Sequence, residues 1–257
     1  MEAERILNQH KFTVLWSGGK DSTAALLWVL DHIRHNDWNV LYVEITGNTH
    51  PKCTEYVTAA SRKLGIEDKL VVAKTADFYE LMDKWGPPLM FAYRWCLYQL
   101  KAKAFEKAFS FTVDGVRRAD SNARRKTQLV SVVKLSGKVT VSPLVDWTKE
   151  HVLDYIKSHG LDLNPCYKLY GHSGNCMFCP YANRTHIILT MNDPEWRAKI
   201  LPVLVRHKEK LAKGSIGRSI YDRWITGAMQ STITFNLYLW RLLKMSSREP
   251  SDVKKVK

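Results

Sequence analysis

The sequence predicts an α/β protein built on a doubly wound, mostly parallel sheet, with a helical C-terminal extension. Three observations predict it. Through the first half of the chain, short apolar runs of strand length alternate with amphipathic stretches of helix length. The first of those runs empties into a glycine turn and a helix start, the junction at which α/β folds hold phosphate. From Pro194 onward the pattern is helical.

Taken in order, strand-like runs lie at residues 13–16, 40–45, 69–73 and 111–113, and helical stretches at 22–34, 53–64 and 93–109 separate them. Such alternation places ligands at the carboxyl ends of the strands. After residue 113 the chain changes character. Residues 114–118 open a basic polar loop, 129–135 and 139–141 form a hairpin around Ser136-Gly137, and 147–159 reads as a helix. Residues 160–183 carry Gly, Pro, Asn and Cys in quick succession, a loop held by something other than periodic packing. The helical pattern then runs through 221–243, and 246–257 reads as a disordered basic tail. The expected organisation is a domain at 1–185, a helical extension at 186–245 and the tail.

With 257 residues, 45% of them hydrophobic and 25% charged, the chain can bury a full core. No apolar run approaches the ~20 residues of a membrane span, and the first residues lack a signal-peptide pattern, so a cytoplasmic protein with no membrane partner is expected. Five cysteines, odd in number and partly clustered, suit metal binding or free thiols better than a disulfide framework. A net charge of +14 favours polyanionic partners. The excess is spread over Arg117, Arg118, Arg124, Arg125 and Lys126, then Arg206, Lys208, Lys210 and Lys213, then the tail. A merely solvated basic surface accounts for it equally well.

The glycine turn is Ser17-Gly18-Gly19-Lys20-Asp21-Ser22. Gly18 and Gly19 permit positive φ and a close backbone approach to a ligand, Lys20 supplies a mobile cation, and Asp21 and Ser22 stand where a magnesium ligand or an N-cap would be. The Walker pattern needs four residues between its glycines and a Ser or Thr directly after Lys, so this is a different loop. It resembles the PP-loop of the N-type ATP pyrophosphatases, which split ATP between its α and β phosphates.

Further segments resemble one branch of that superfamily, the PAPS reductase-like family. Thr46-Gly47-Asn48-Thr49-His50-Pro51 is similar to its T-G-x-x-x-P segment beside the adenosine, and Gly115-Val116-Arg117-Arg118-Ala119-Asp120-Ser121 to its G-x-R-x-x-[ED]-S loop, with Arg124 close by. Pro143-Leu144-Val145-Asp146-Trp147 resembles P-L-x-x-W, and Asn164-Pro165 through Cys176-Met177-Phe178-Cys179-Pro180 resembles the N-P-x-Y and G-C-x-x-C-P ending. The resemblance implies ATP and Mg²⁺ as ligands. It implies Lys20, Asp21 and Arg117 as catalytic groups, and Ser17, Gly18, Gly19, Ser22, Thr46, Gly47, Gly115, Arg118, Asp120 and Arg124 as nucleotide-binding groups. Physically, the planar fork of Arg117, Arg118 and Arg124 suits bidentate phosphate contact opposite the loop.

Two chemistries occur in the family. Its reductases attack an adenylated sulfate with a cysteine near the C-terminus and usually lack the Lys-Asp pair, whereas this chain has Lys20 and Asp21 and no cysteine after Cys179. ATP cleavage is therefore expected, with the adenylate passing to an acceptor oxygen and pyrophosphate leaving.

Cys176 and Cys179 form a C-x-x-C turn suited to tetrahedral sulfur ligation, and Cys96 is expected at a helix start, where the dipole favours thiolate. The spacing resembles iron–sulfur ligation in APS reductases, which combine an upstream cysteine pair with a later C-x-x-C; here the upstream pair is a single Cys96, a departure that makes Cys166 the candidate fourth ligand. A [4Fe-4S] cluster leads, structural Zn²⁺ is the alternative, and free thiols are third. Cys53 reads as a buried apolar residue, His50 and His172 as loop or packing residues, and Trp224, Tyr238 and Trp240 as core packing more than base-stacking groups. The reading that results is an adenylating enzyme for sulfur transfer, with nucleic acid thiolation leading, tRNA or DNA as acceptor and a sulfur donor protein as partner. A sulfonucleotide reductase and a non-catalytic nucleotide- or nucleic-acid-binding module are the alternatives.

Overall fold

The computed structural model describes residues 2–88, 94–133, 136–208, 210 and 221–226, in two compact units, Met1–Tyr181 and Ala182–Lys257. The first unit opens with α1 (Glu2–Leu7), then alternates β1 (Phe12–Leu15), α2 (Lys20–His32), β2 (Trp38–Glu44), α3 (Pro51–Lys63), β3 (Leu70–Lys74) and α4 (Phe78–Trp85). A π-helical turn at Cys96–Ala102 runs into the short α5 (Lys103–Phe105), and β4 (Phe111–Val113), β5 (Val130–Val132), β6 (Val139–Val141), α6 (Lys149–Ser158) and α7 (Cys166–Tyr170) complete it.

The six strands lie in the order β3-β2-β1-β4-β6-β5, every pairing parallel except β5 with β6. Phe12 of β1 stands opposite Trp38 on one side and Phe111 on the other. A strand paired on both edges and covered on both faces has no polar side, which is why Phe12, Thr13 and Val14 are all buried. Thr13 is reconciled by hydrogen bonds: its hydroxyl donates to Asn39 Oδ1 at 2.7 Å and accepts from the Phe109 amide at 2.9 Å. After β3 the chain returns to the other side of β1 to lay down β4. The sheet order reverses there, and that crevice is where such folds bind ligands.

The doubly wound, mostly parallel sheet and the 129–141 hairpin agree with the sequence reading. Two helices, α1 and α4, carry no expectation, and α7 forms inside residues 160–183, which the sequence reads as a loop. The stretch read as one α-helix over 93–109 is instead the π-helical turn and three residues of α5, with residue 93 outside the described residues. π-Helical turns widen the backbone and concentrate at functional sites.

In the second unit α8 (Arg184–Asn192) and α9 (Pro194–Lys208) pack through Ile187, Met191, Trp196, Ile200 and Leu204. Trp224 is buried, edge-on to His186 at 6.0 Å, so it packs as expected. Lys213, the helix expected beyond residue 226 with Tyr238 and Trp240, and the 246–257 tail lie outside the described residues. Among the described residues no helix is long and apolar enough to cross a membrane.

Candidate active site

The loop between β1 and α2 must reverse direction within a few residues under the first turn of α3. Gly18 does this at φ 70°, and a Cβ there would come within 3.0 Å of Cys53 Sγ and 3.1 Å of Val57. Gly19 is the N-cap of α2 and offers no side chain to its first amides, the first of which, from Lys20, is instead taken by Tyr167 Oη at 3.0 Å. Ser22 closes the loop on itself. Its hydroxyl accepts from the Ser17 amide at 3.1 Å and donates to the Gly19 carbonyl at 3.0 Å.

The loop after β4 packs directly onto this one. A Cβ on Gly115 would stand 2.8 Å from Ser22 N and closer still to the Asp21 carbonyl, so only glycine allows the two loops to meet. Two residues later Arg117 is buried, with 4% of its side chain exposed. Its Nη2 donates to Asp120 Oδ1 at 2.6 Å, its Nη1 to the Trp147 carbonyl at 3.2 Å, and its Nε lies 2.9 Å from Asp21 Oδ1. Lys20 Nζ pairs with Asp21 Oδ2 at 2.5 Å, and Arg124 with Asp120 Oδ2 at 2.8 Å. Five charged side chains thus alternate, Lys20, Asp21, Arg117, Asp120, Arg124, and leave one positive charge in excess at the helix end.

The Arg117–Asp21 contact is an ion pair without a hydrogen bond. Both Arg117 Nε and Asp21 Oδ1 are buried with no hydrogen-bond partner. The two atoms compensate one another by charge, since they stand 2.9 Å apart.

Of the other nominated residues, Arg118 is engaged elsewhere: its Nε donates to the Thr127 carbonyl at 2.8 Å and its guanidinium pairs with Asp146. Thr46 knits the ends of β2 and β3, its hydroxyl donating to the Thr75 carbonyl at 2.7 Å. Gly47 sits at φ 80° against the Asp77 carboxylate. Asn48, in the same segment, is fully buried and pins the cysteine-bearing loop. Its Oδ1 accepts from Phe178 N at 2.8 Å, its Nδ2 donates to the Phe178 carbonyl at 3.0 Å, and its carbonyl accepts from Met177 N at 2.8 Å. His50 caps α3, accepting from the Lys52 amide at 3.1 Å.

Two residues without an assigned role in the sequence reading reach the loop from far along the chain. Asn164 Nδ2 donates to the Gly18 carbonyl at 3.1 Å, and Tyr167 Oη accepts from the Lys20 amide at 3.0 Å. Both belong to the N-P-x-Y segment, which was the signal available for them.

Cys96, Cys176 and Cys179 line one cavity of about 180 Å³, together with Arg94 and Lys101. Burial and the charge of Cys176 push the Cys96 and Cys179 thiols up to about 11. At Cys96 burial therefore outweighs the helix-end effect expected from sequence. The negative charge of Cys176 raises the Lys101 ammonium, and Lys101 also lines a small cavity of about 80 Å³ beside Trp16 and Ser17, joining the cysteines to the loop. Cys166 is not among the cavity residues. It is buried on α7 against Gly174, near Cys53, and burial pushes its thiol up to about 12. Cys53 is buried as expected and in addition lies 3.6 Å from the Ser17 carbonyl.

Among the described residues no group of three or more His, Cys, Asp or Glu is drawn together to hold a metal ion. For Mg²⁺ that is compatible with the site, because Mg²⁺ arrives with substrate phosphates and one or two carboxylates, and Asp21 Oδ1 is a carboxylate oxygen that accepts no hydrogen bond and is held only by the Arg117 ion pair. For a thiolate-bound group the residue types are suitable, three cysteines lining one cavity with Arg94 and Lys101 to offset their charge, although their sulfurs are not drawn together into a ligand set.

Residues 11–181 match the family model of the phosphoadenosine phosphosulfate reductase domain. Curated relatives include the adenosine 5'-phosphosulfate reductase of Staphylococcus saprophyticus, 34% identical over 90 residues, 34% of this chain and 37% of that protein. That of Staphylococcus haemolyticus is 32% identical over 109 residues, 39% of this chain and 43% of that protein. The chain thus spans less than half the length of the curated relatives it matches. Among solved structures, phosphoadenylyl-sulfate reductase from Candida auris in its phosphate complex aligns with TM-score 0.45 and 18% identity, over 65% of this chain and 84% of that one. The U34-tRNA thiolase NcsA from Methanococcus maripaludis, with its [4Fe-4S] cluster, aligns with TM-score 0.44 and 13% identity, over 90% and 79%.

Proposed function

The chain belongs to the phosphoadenosine phosphosulfate reductase domain family, and from that premise we propose that it is an ATP pyrophosphatase that adenylates an acceptor for sulfur transfer. The observation that carries this reading is the loop cradle, in which Lys20, Arg117 and Arg124 alternate with two carboxylates at a helix end capped by glycine and Asp21 Oδ1 has no hydrogen bond. A triphosphate tail supplies the negative charge that this arrangement lacks.

In the reaction the acceptor oxygen attacks the α-phosphorus, the bond from that phosphorus to the α–β bridging oxygen breaks, and pyrophosphate leaves. The first turn of α2, Lys20 and Arg117 stabilise the charge that builds on the leaving group, preorganised by their ties to Asp21 and Asp120. Asp21 would hold Mg²⁺, which screens the phosphates. A sulfur nucleophile then displaces AMP from the adenylated acceptor. Cys96, Cys176 and Cys179 would hold an iron–sulfur cluster, or Zn²⁺ in the alternative, and a cluster would supply a place to carry sulfur. The net charge of +14 favours a nucleic acid acceptor, tRNA or DNA, over a small one.

The names of the curated relatives favour a second reading, reduction of an adenylyl sulfate. Calorimetry separates the two. ATP with Mg²⁺ is expected to bind more tightly than adenosine 5'-phosphosulfate and to release pyrophosphate when a nucleic acid acceptor is added; tight binding of the phosphosulfate with none of ATP would replace the adenylation reading by the reductase one.

A further inference from the structure

The Lys20 amide is the first of α2, and it points at the hydroxyl of Tyr167, 147 positions along the chain. Around it the loop is already bound internally: Ser22 takes the Ser17 amide, and Asn164 holds the Gly18 carbonyl. Tyr167 Oη also stands 3.5 Å from where a Cβ on Gly19 would be, so the hydroxyl lies beside the glycine turn. A phenol has one proton to give as well as lone pairs to accept with. Here the lone pair is used by Lys20 N–H, and the proton has no acceptor among the described hydrogen bonds. At the next residue of the same helix end the buried Arg117 holds Asp21 in an ion pair at 2.9 Å, which adds a fixed positive charge beside this space.

We propose that Tyr167 is a ligand of the nucleotide's phosphate chain, its hydroxyl accepting from the Lys20 amide and donating to a phosphoryl oxygen of the pyrophosphate portion. This rests on the reading that the loop binds ATP. Burial, with the nearby Asp21 charge, pushes the phenol up to about 12, so it keeps the proton it must donate. Asn164 and Tyr167, three residues apart on one turn, then have complementary tasks, one fixing the loop carbonyl and the other completing the anion site. The residue reads the β and γ phosphates and is indifferent to a nucleoside monophosphate.

The test is calorimetry of wild type and Tyr167→Phe with inorganic pyrophosphate, ATP with Mg²⁺, and AMP. Loss of one hydrogen bond to a charged acceptor is expected to weaken pyrophosphate and ATP by about tenfold or more, with AMP affinity unchanged. A merely structural tyrosine would change all three ligands together. Equal or tighter pyrophosphate binding by the variant would overturn the proposal, because the hydroxyl would then only occupy the amide. Wild type that binds neither ATP nor pyrophosphate removes the ATP reading and this inference with it, whereas equal binding by wild type and variant removes this inference alone.

Discussion

Replacing Gly115 by alanine tests the meeting of the two loops, on which the whole cradle depends. The added methyl would stand 2.8 Å from Ser22 N and nearer to the Asp21 carbonyl. Ordinary non-bonded carbon contacts begin at roughly 3.5 Å, and the obstructing atoms are backbone in the first turn of a helix, which no rotamer change can move aside. Overpacking of this kind costs about 1–3 kcal/mol, occasionally more, and with backbone on both sides the upper end applies. About 3 kcal/mol corresponds to a fall in melting temperature of roughly 6–12 °C for a chain of this size. The same shift would carry Arg117 away from Asp21, so ATP binding should fall with stability. Gly19→Ala is the control: φ is −86° and its nearest neighbours would be 3.3 Å or more away, so its stability should change by no more than about 1 kcal/mol. Thermal melts followed by circular dichroism, with a nucleotide titration on each variant, decide the matter. A Gly115→Ala protein that melts with wild type would show that the 115–117 loop is not seated on α2.

Cys96→Ser, Cys176→Ser and Cys179→Ser are each expected to lower bound iron, sulfide or zinc in anaerobically purified protein, while Cys53→Ser and Cys166→Ser keep it; equal metal in all five would show that the cavity cysteines are not ligands. The clamp between α2 and α6 should be pH-dependent. Burial alone would lower the His159 pKa, but the Tyr155 carbonyl at 2.8 Å and the Asp31 carboxylate at 3.0 Å both favour the imidazolium, and the net shift is upward. A raised folded pKa means stability fully present below about pH 6.5 and lost as pH rises through the folded value, so the urea midpoints of wild type and His159→Gln should converge toward alkaline pH, from a difference of no more than about 1 kcal/mol for so exposed a pair. Asp31 works at the other end: burial opposes its charge, the bonds from Tyr155 and His159 outweigh that, and its contribution is lost as pH falls below the ordinary carboxylate value. If the basic surface tracks a phosphate backbone, tRNA or DNA affinity should fall with salt by about 0.7–0.9 log units per neutralised phosphate. In that case the Lys208→Glu, Lys210→Glu double variant weakens nucleic acid binding and leaves ATP affinity unchanged, and no binding at low salt would leave a small acceptor.

What the sequence by itself determined about this protein is what depends on neighbours in sequence. A strand, two glycines and a helix start at residues 12–20 are local, so the phosphate loop and the parallel alternation around it were legible. The hairpin was too, since Gly137 and the flanking valines carry their own turn chemistry. The C-x-x-C turn announced Cys176 and Cys179, whose closeness is fixed by four residues of chain. Tertiary structure alone decided which distant residues meet them. Cys96 and Lys101 reach the cysteine cavity because a π-helical turn presents them there, and a helical period cannot reveal that widening. Cys166 has the right residue type but is carried by α7 to the back of the loop instead. Arg117 and Arg118 are adjacent and identical in chemistry, yet burial against Asp21 and Asp120 selects the first for the cradle while Thr127 and Asp146 hold the second. Tyr167 reaches the Lys20 amide only after the sheet, α3 and the cysteine loop have packed, since a hydrogen bond across 147 positions has no local signal to announce it.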